Sequence, residues 1–220
     1  MNRLQLCKRL RELAGIAGTG PTTTLGQTGE LGRVVGWIDD SYADICDKRQ
    51  DWEFLRNDFS FNCTAAQSVY PQATVTNHAN WKDDSLRCYL TTTNDEQWLT
   101  YIPWDIFRDT RLKGATRDVT GRPIQFSIKP DKSLVLYPIP DDAYTIDGEF
   151  YRTAAVMTAD TDTPIFQRFH MAIVFNALMR YAAYIADPML YAYGQKEYGR
   201  LINKIDANNT PTITAGGALA

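Results

Sequence analysis

The residue types that most often perform catalysis are sparse in this sequence. His78 and His170 are its two histidines, so few side chains with a near-neutral pKa could serve as a general base. No Gly-x-Ser-x-Gly sequence occurs, and two histidines leave little room for a Ser-His-Asp triad. The polar stretch 77–80 around His78 predicts a loop, whereas Phe169 and Met171 on either side of His170 predict a core or interface histidine. We therefore expect no enzymatic activity.

Acidic and cysteine residues do not change this expectation. Adjacent acids occur at 39–40, 83–84 and 141–142, but a glycosidase needs two carboxyl groups that flank a cleft. The pair at 141–142 follows prolines, a pattern typical of turns. The cysteines are Cys7, Cys46, Cys63 and Cys88, and none forms the CxxC spacing of a structural zinc site. We expect buried free thiols in a reducing compartment, with no metal and no cofactor.

Length and composition narrow the class of protein. The chain has 220 residues, with 23 Lys and Arg against 26 Asp and Glu, for a net charge of −3. With 44% hydrophobic residues it can build a substantial core. A disordered, collagen-like or basic nucleic-acid-binding chain is excluded. Trp81, Trp98 and Trp104 could stack on a sugar, but the interpretation we favour for the aromatic residues is core and subunit contact.

Apolar residues recur at helical spacing near both ends of the chain. They predict helices over residues 3–14, 30–52, 164–186 and 189–208. Thr163 is the predicted N-cap of the third helix, with Pro164 in its first turn. The apolar stretch 171–186 contains Asn176 and Arg180 and is too short to span a bilayer. It predicts a helix buried in protein, with no membrane partner.

Two of these helices carry charge on one face. Four aspartates lie nearly opposite the apolar face of the second helix, and they are Asp40, Asp44, Asp47 and Asp51. Since little positive charge neutralises them, they form a solvated face, or a surface that faces a basic partner or repels DNA. On the last helix, Lys196, Arg200 and Lys204 recur every four residues and form a basic stripe.

Between the helices the apolar period changes to two, which indicates strands. They are predicted near residues 59–63, 86–90, 124–128, 134–137 and 144–150, with a short helix at 103–108. The predicted fold class is α+β, a helical bundle from the N- and C-terminal segments with an inserted antiparallel β module. The predicted divisions are 1–57 for the N-terminal helices, 58–153 for the β-rich insertion, 154–208 for the C-terminal helices that complete the bundle, and 209–220 for a flexible tail.

Three groups of packing and turn residues are similar to a known protein family. They are VGWIDDSYADI at 35–45 with WEFL at 52–55, SLVLYPIPD at 133–141 with YTIDGEFY at 144–151, and PIF at 164–166 with FHMAIV at 169–174, followed by 177–178, 181–182 and Tyr198. With these residues, most of the chain resembles the head-to-tail adaptor (connector) proteins of tailed bacteriophages. None of the three groups is a catalytic signature.

The resemblance implies a structural protein of the virion neck, made in the host cytoplasm. Family members form a ring, usually of twelve copies, below the portal. The implied partners are other copies of the chain, the portal protein, a downstream tail or nozzle protein, and double-stranded DNA that passes through the channel without sequence-specific binding. The implied portal-binding candidates lie in the tail, which we expect to order on docking, and they are Asn209, Thr210, Pro211, Ile213 and Leu219.

The residues themselves fit a ring in three ways. A helix that is apolar all round, as at 171–186, needs neighbours on every side. The acidic aspartates and the basic stripe are candidates to meet across subunits. A mildly acidic chain also suits a DNA channel, because phosphate binding rises with each Lys or Arg contact. The alternatives are another tail component, such as a tube or terminator subunit, or a carbohydrate-binding or envelope-degrading protein.

Overall fold

A computed structural model of the chain describes residues 1–18, 20–90, 92–93 and 95–209, and the structural statements that follow concern these residues. They form two compact units. The helical unit contains residues 1–54 and the described residues from 154 onward, and the β unit contains residues 55–153. The predicted fold class is confirmed as α+β, with helices towards both ends of the chain and strands between them.

The described residues form five helices, and polar side chains cap the start of the first and of the last. The helices are α1 (Arg3–Leu13), α2 (Gly29–Asp47), α3 (Trp104–Arg111), α4 (Met171–Tyr184) and α5 (Pro188–Asn209), with α3 in the β unit. At the start of α1, Asn2 and Gln5 form a capping box. At the start of α5, the Asp187 carboxylate accepts hydrogen bonds from the backbone N–H groups of Met189 and Leu190 at 3.0 Å each.

The prediction that the second helix extends to Trp52 is wrong, because α2 ends at Asp47. The chain instead turns and buries the Trp52 ring completely. The indole Nε1–H of Trp52 donates to the carbonyl of Ile45 at 3.1 Å. In a longer helix the N–H of Arg49 would bond that carbonyl, so Trp52 satisfies a group that the helix end leaves open.

The prediction that the third helix begins at Pro164 is also wrong, and Thr163 is not its N-cap, because α4 begins at Met171. Phe169 has a φ of 63°, a left-handed conformation that interrupts any helix running through it. Before that point, the buried Phe166 ring lies 5.4 Å from the Phe54 ring and 6.2 Å from the Tyr42 ring, measured between centroids. Aromatic packing therefore fixes the segment that the apolar pattern assigned to a helix.

The helix α4 is apolar on all sides because other helices of the same chain cover it. This helix packs against α1, α2 and α5, and its residues 172–178 are all buried. The expectation that neighbouring subunits must cover this helix is therefore wrong, and its composition carries no argument for a ring. No helix among the described residues is long and apolar enough to cross a membrane.

The β unit contains two sheets. The strands are β1 (Arg56–Asn62), β2 (Val69–Tyr70), β3 (His78–Trp81), β4 (Arg87–Leu90), β5 (Gln97–Trp98), β6 (Thr100–Tyr101), β7 (Gln125–Ile128), β8 (Leu134–Tyr137) and β9 (Tyr144–Arg152). One sheet has the order β1-β9-β4-β5, with β3 also paired to β9, and the other has the order β2-β8-β7-β6. The β6–β7 pair is parallel and the other pairs are antiparallel, so the predicted antiparallel module is mixed.

Both sheets contribute to one apolar core. Phe59, Ile146 and Phe150 come from the first sheet, and Phe126 and Leu136 from the second. The short strands β2, β3, β5 and β6, which the sequence pattern missed, are each paired with a longer strand. β2, β5 and β6 have two residues each, too few to show a period of two, and β3 lies in a polar stretch of the sequence.

The prediction that His78 lies in a polar loop is wrong. It is the first residue of β3, its side chain is buried, and its ring stacks on that of Phe150 at 5.6 Å. The centroid of the Trp81 indole lies 4.1 Å from the imidazole on another side. His78 is therefore a core residue of the β unit.

Candidate functional site

The outward face of α2 is acidic, as the helical period predicts. Asp40, Asp44 and Asp47 are exposed, and we call these three residues the acidic face. The opposite side of the helix is buried through residues that include Val34, Ile38 and Ile45. One-sided burial thus fixes which way the three carboxylates point.

Asp51 does not belong to this face, because α2 has ended before it. Its carboxylate accepts two hydrogen bonds from the guanidinium of Arg49, at 2.8 and 3.0 Å. These bonds lower the pKa of Asp51. The stripe of four aspartates predicted from the sequence is therefore three residues long.

The expectation that the acidic face is barely neutralised is wrong. Arg180 of α4 forms ion pairs with Asp44 at 2.5 Å and with Asp40 at 3.7 Å. Asn176 Nδ2 also donates to Asp44 at 3.3 Å. Asp47 forms no ion pair within the part of the chain that the structure describes. The acidic face keeps a net negative charge, but a smaller one than its sequence suggests.

The outward face of α5 is basic from near its middle towards its C-terminus. Lys196, Arg200 and Lys204 are exposed, and we call them the basic face. Arg200 pairs with Glu197 of the same helix at 2.8 Å. Burial of Leu201 and Ile205 on the opposite side sets this orientation.

The same helix face is apolar in its N-terminal half, which sequence reasoning missed. Met189 is 84% exposed and Tyr193 is 46% exposed. Their spacing from Lys196, Arg200 and Lys204 follows steps of three and four, so all five share one face. The periodicity alone could have shown this alignment. The apolar spacing along this helix also predicts Tyr191 on the buried face, but Tyr191 is 42% exposed.

The two charged helices contact different sides of α4. On α5, Gly194 approaches Phe175 and Met179, while on α2, Asp44 contacts Asn176 and Arg180. Further along α4, α2 stays on its own side of that helix, since Trp37 of α2 contacts Tyr181 and Tyr184. At 3.6 residues per turn, the two contact lines lie roughly 100° or more apart around α4. The acidic and basic faces therefore look in different directions.

Both charged helices run antiparallel to α4, and hence parallel to each other. At one end, Arg33 of α2 donates to the hydroxyl of Tyr184, close to the start of α5. At the other end, Lys48, directly after α2, lies 3.4 Å from Asp206 near the end of α5. The acidic face occupies the C-terminal half of α2, and the basic face runs from near the middle of α5 towards its C-terminus. They consequently lie at a similar level along the helical unit.

The portal-binding candidates fall at the edge of the described chain. Asn209 is the last residue of α5, so the helix reaches one residue into the predicted tail. Its side-chain amide donates to the carbonyl of Ile205 at 2.8 Å. Thr210, Pro211, Ile213 and Leu219 lie outside the described residues.

A charged groove on the β1-β9-β4-β5 sheet has a volume of about 900 Å³. Its basic side chains are Arg56, Lys82 and Arg87, and each forms an ion pair with an acidic neighbour. Arg87, for example, lies 2.6 Å from Asp147. Because these charges are matched inside the groove, it presents no concentrated charge to a ligand.

The residues considered for other functions are dispersed. Trp81 is buried and donates its indole N–H to the carbonyl of Lys132, so it cannot join the exposed Trp98 and the half-buried Trp104 in a sugar-binding platform. Within the described residues, no three His, Cys, Asp or Glu side chains cluster as a metal site would require. His170 Nε2 lies 2.7 Å from the carbonyl of Phe166, a structural contact.

The sequence matches the model of a known protein family. The family model described as SU10 adaptor protein matches residues 1–217, nearly the whole chain. No curated protein matches the sequence.

Proposed function

The chain belongs to the SU10 adaptor protein family, a bacteriophage structural family, and from this premise we propose that it forms a ring that joins the portal to the tail. The observation that carries this proposal is the position of the acidic and basic faces on different sides of α4. A ring uses a heterologous contact, in which two different surfaces of each copy meet. The helical unit offers two such surfaces with opposite charge.

The proposal includes a set of partners and a location. The ring binds other copies of itself, the portal above and a tail or nozzle protein below, in the neck of the virion. It lines the channel through which double-stranded DNA leaves, without sequence-specific contacts. The net charge of −3 supports this role, because a mildly acidic protein binds passing phosphates weakly.

Reversing the basic face is expected to block ring assembly. The variant Lys196→Glu, Arg200→Glu, Lys204→Glu places like charges opposite the acidic face of the next copy. Sedimentation and electron microscopy, with and without purified portal in low salt, should show monomers where the unmodified chain forms rings.

A matched control reverses three exposed cations of the β unit, Arg108, Lys113 and Arg117. It makes the same change in net charge and should leave assembly intact. Adding Asp40→Lys and Asp47→Lys to the triple variant should restore assembly in part. Normal rings from the triple variant in low salt, where the charges are least screened, would contradict the charge contact.

Deleting residues 209–220 is expected to spare folding and weaken portal binding. The deletion removes one residue of α5 and none of the buried residues of that helix. We expect the dissociation constant for the portal to rise by at least about tenfold. The melting temperature serves as the control for folding, and unchanged portal affinity would refute a role of the tail in docking.

A further inference from the structure

The first two turns of α5 carry an apolar patch on the outward face of the helix. The patch consists of Met189 and the exposed part of Tyr193, whose ring also packs against Phe175 of α4 at 5.8 Å between ring centroids, and it leads directly into the basic face. Met189 is 84% exposed, the largest exposure among the large hydrophobic residues of the described chain. Large exposed apolar side chains beside charged residues are a pattern typical of protein interfaces.

The surface that matches this face is the outward face of α2 on a second copy. Its C-terminal half carries the acidic face, which complements Lys196, Arg200 and Lys204. Its N-terminal half carries Gly36, one turn before Asp40. The two helices are parallel within one copy, with their charged halves at a similar level. In a ring whose axis runs along the helices, α5 of one copy and α2 of the next copy are also parallel, with their charged residues at a similar level.

Gly36 has no role inside the described chain that requires a glycine. A Cβ atom built there has no described atom within 4 Å, and the residue lies in the interior of α2. Glycine at such a position weakens a helix relative to alanine. Because glycine has no side chain, a side chain of a neighbouring molecule can approach the α2 backbone closely at this position.

We propose that Met189 and Tyr193 of one copy pack against α2 of the next copy at Gly36, with the basic face of the first level with the acidic face of the second. This contact rests on the ring proposed above and assigns it an apolar anchor. Burial of the two side chains supplies affinity, and the parallel rows of charge set the register. Arg180 remains paired with Asp44 and Asp40 at the edge of the contact.

Substitutions at Gly36 test the contact without disturbing the fold. Gly36→Ala should assemble nearly as the unmodified chain does. Gly36→Trp should fill the space that Met189 and Tyr193 occupy and lower ring yield at least about tenfold. Met189→Asp should have the same effect, whereas Val156→Asp, at another residue that is 76% exposed, should not. Melting temperatures of all four variants verify that they fold.

Site-specific crosslinking provides an independent readout. The native cysteines are buried, so they react slowly with a short bifunctional thiol reagent. Mixing Gly36→Cys with Tyr193→Cys should give crosslinked dimers, and a chain that carries both substitutions should give a ladder of multimers. Lys8→Cys with Tyr193→Cys, both at exposed residues, should give none.

The outcomes separate this contact from the proposed function. Rings that form without the Gly36–Tyr193 crosslink, or that persist with Gly36→Trp and Met189→Asp, overturn the contact and leave the ring intact. If the unmodified chain forms no ring even with portal, the proposed ring and this contact both fail.

Discussion

Replacing Asp39 by alanine is expected to lower the free energy of unfolding of the helical unit by about 3–5 kcal/mol. The Asp39 carboxylate accepts two hydrogen bonds from Arg3, at 3.0 Å from Nε and 2.6 Å from Nη2. The Arg3 side chain is only 10% exposed. The substitution would leave the nearly buried guanidinium of Arg3 without its counter-ion. Removing one partner of a buried ion pair destabilises a fold more than replacing both partners.

The arginine also connects two other segments of the helical unit. Its Nη1 donates to the hydroxyl of Thr24 at 2.9 Å and to the carbonyl of Thr158 at 2.8 Å. Thr24 in turn donates from its backbone N–H and its hydroxyl to Asp160, which lowers the pKa of that carboxyl. Loss of Asp39 therefore affects α1, α2, and the loops around residues 24 and 158–160.

Urea unfolding followed by far-UV circular dichroism measures the loss. Arg9→Ala is the matched control, because Arg9 pairs with Glu12 at the surface and should change stability by less than about 1 kcal/mol. The double variant Arg3→Met, Asp39→Leu should be more stable than Asp39→Ala alone, since it removes the stranded charge. A loss below about 1 kcal/mol for Asp39→Ala would show that Arg3 finds another partner or reaches water.

The helices were predictable where burial is one-sided. In α1, α2 and α5 a buried row alternates with an exposed row, so the apolar period gave their positions to within a few residues at most termini. The end of α2 was missed because the chain turns after Asp47 and the Trp52 indole bonds the Ile45 carbonyl. The start of α4 was missed because contacts distant in sequence decide the conformation of the segment after Pro164. Phe166 packs on Tyr42 and Phe54, and no local pattern encodes that meeting.

The candidate site was predictable in part, for the same reason. Exposure of Asp40, Asp44 and Asp47 follows from their spacing, and so does exposure of the basic face. The ion pair between Asp44 and Arg180 depends on how α2 packs against α4, and the spacing of residues in the sequence does not reveal it. Met189 was missed because the spacing of apolar residues indicates the buried face of α5, and Met189 is an apolar residue on the opposite side.

Acidification is expected to weaken the β unit through His78. This side chain is 5% exposed, and neither ring nitrogen has a hydrogen-bond partner among the described residues. Burial lowers the pKa of His78 to about 4, with a further contribution from the positive charge of Lys132. The aromatic rings of Trp81 and Phe150 contact the imidazole and provide no acceptor for a second proton.

The direction of the effect follows from the proton balance. In the unfolded chain His78 binds a proton near pH 6.5, whereas in the folded chain it stays neutral until about pH 4. Between these values the unfolded state binds more protons, so stability falls as the pH falls. The full loss from this one group is roughly 3 kcal/mol, and below pH 4 it becomes constant.

Comparison with His78→Phe isolates this contribution. Phenylalanine keeps a ring against Trp81 and Phe150, and it sacrifices no hydrogen bond to a described residue because the imidazole nitrogens form none. Urea unfolding at pH 7, 5.5 and 4.5 should show the variant equal or superior in stability at pH 7 and increasingly superior at lower pH. Carboxylate titrations are common to both proteins and cancel in the difference. Parallel pH profiles would mean that the buried imidazole accepts its proton without cost, through an opening of β3 that admits water.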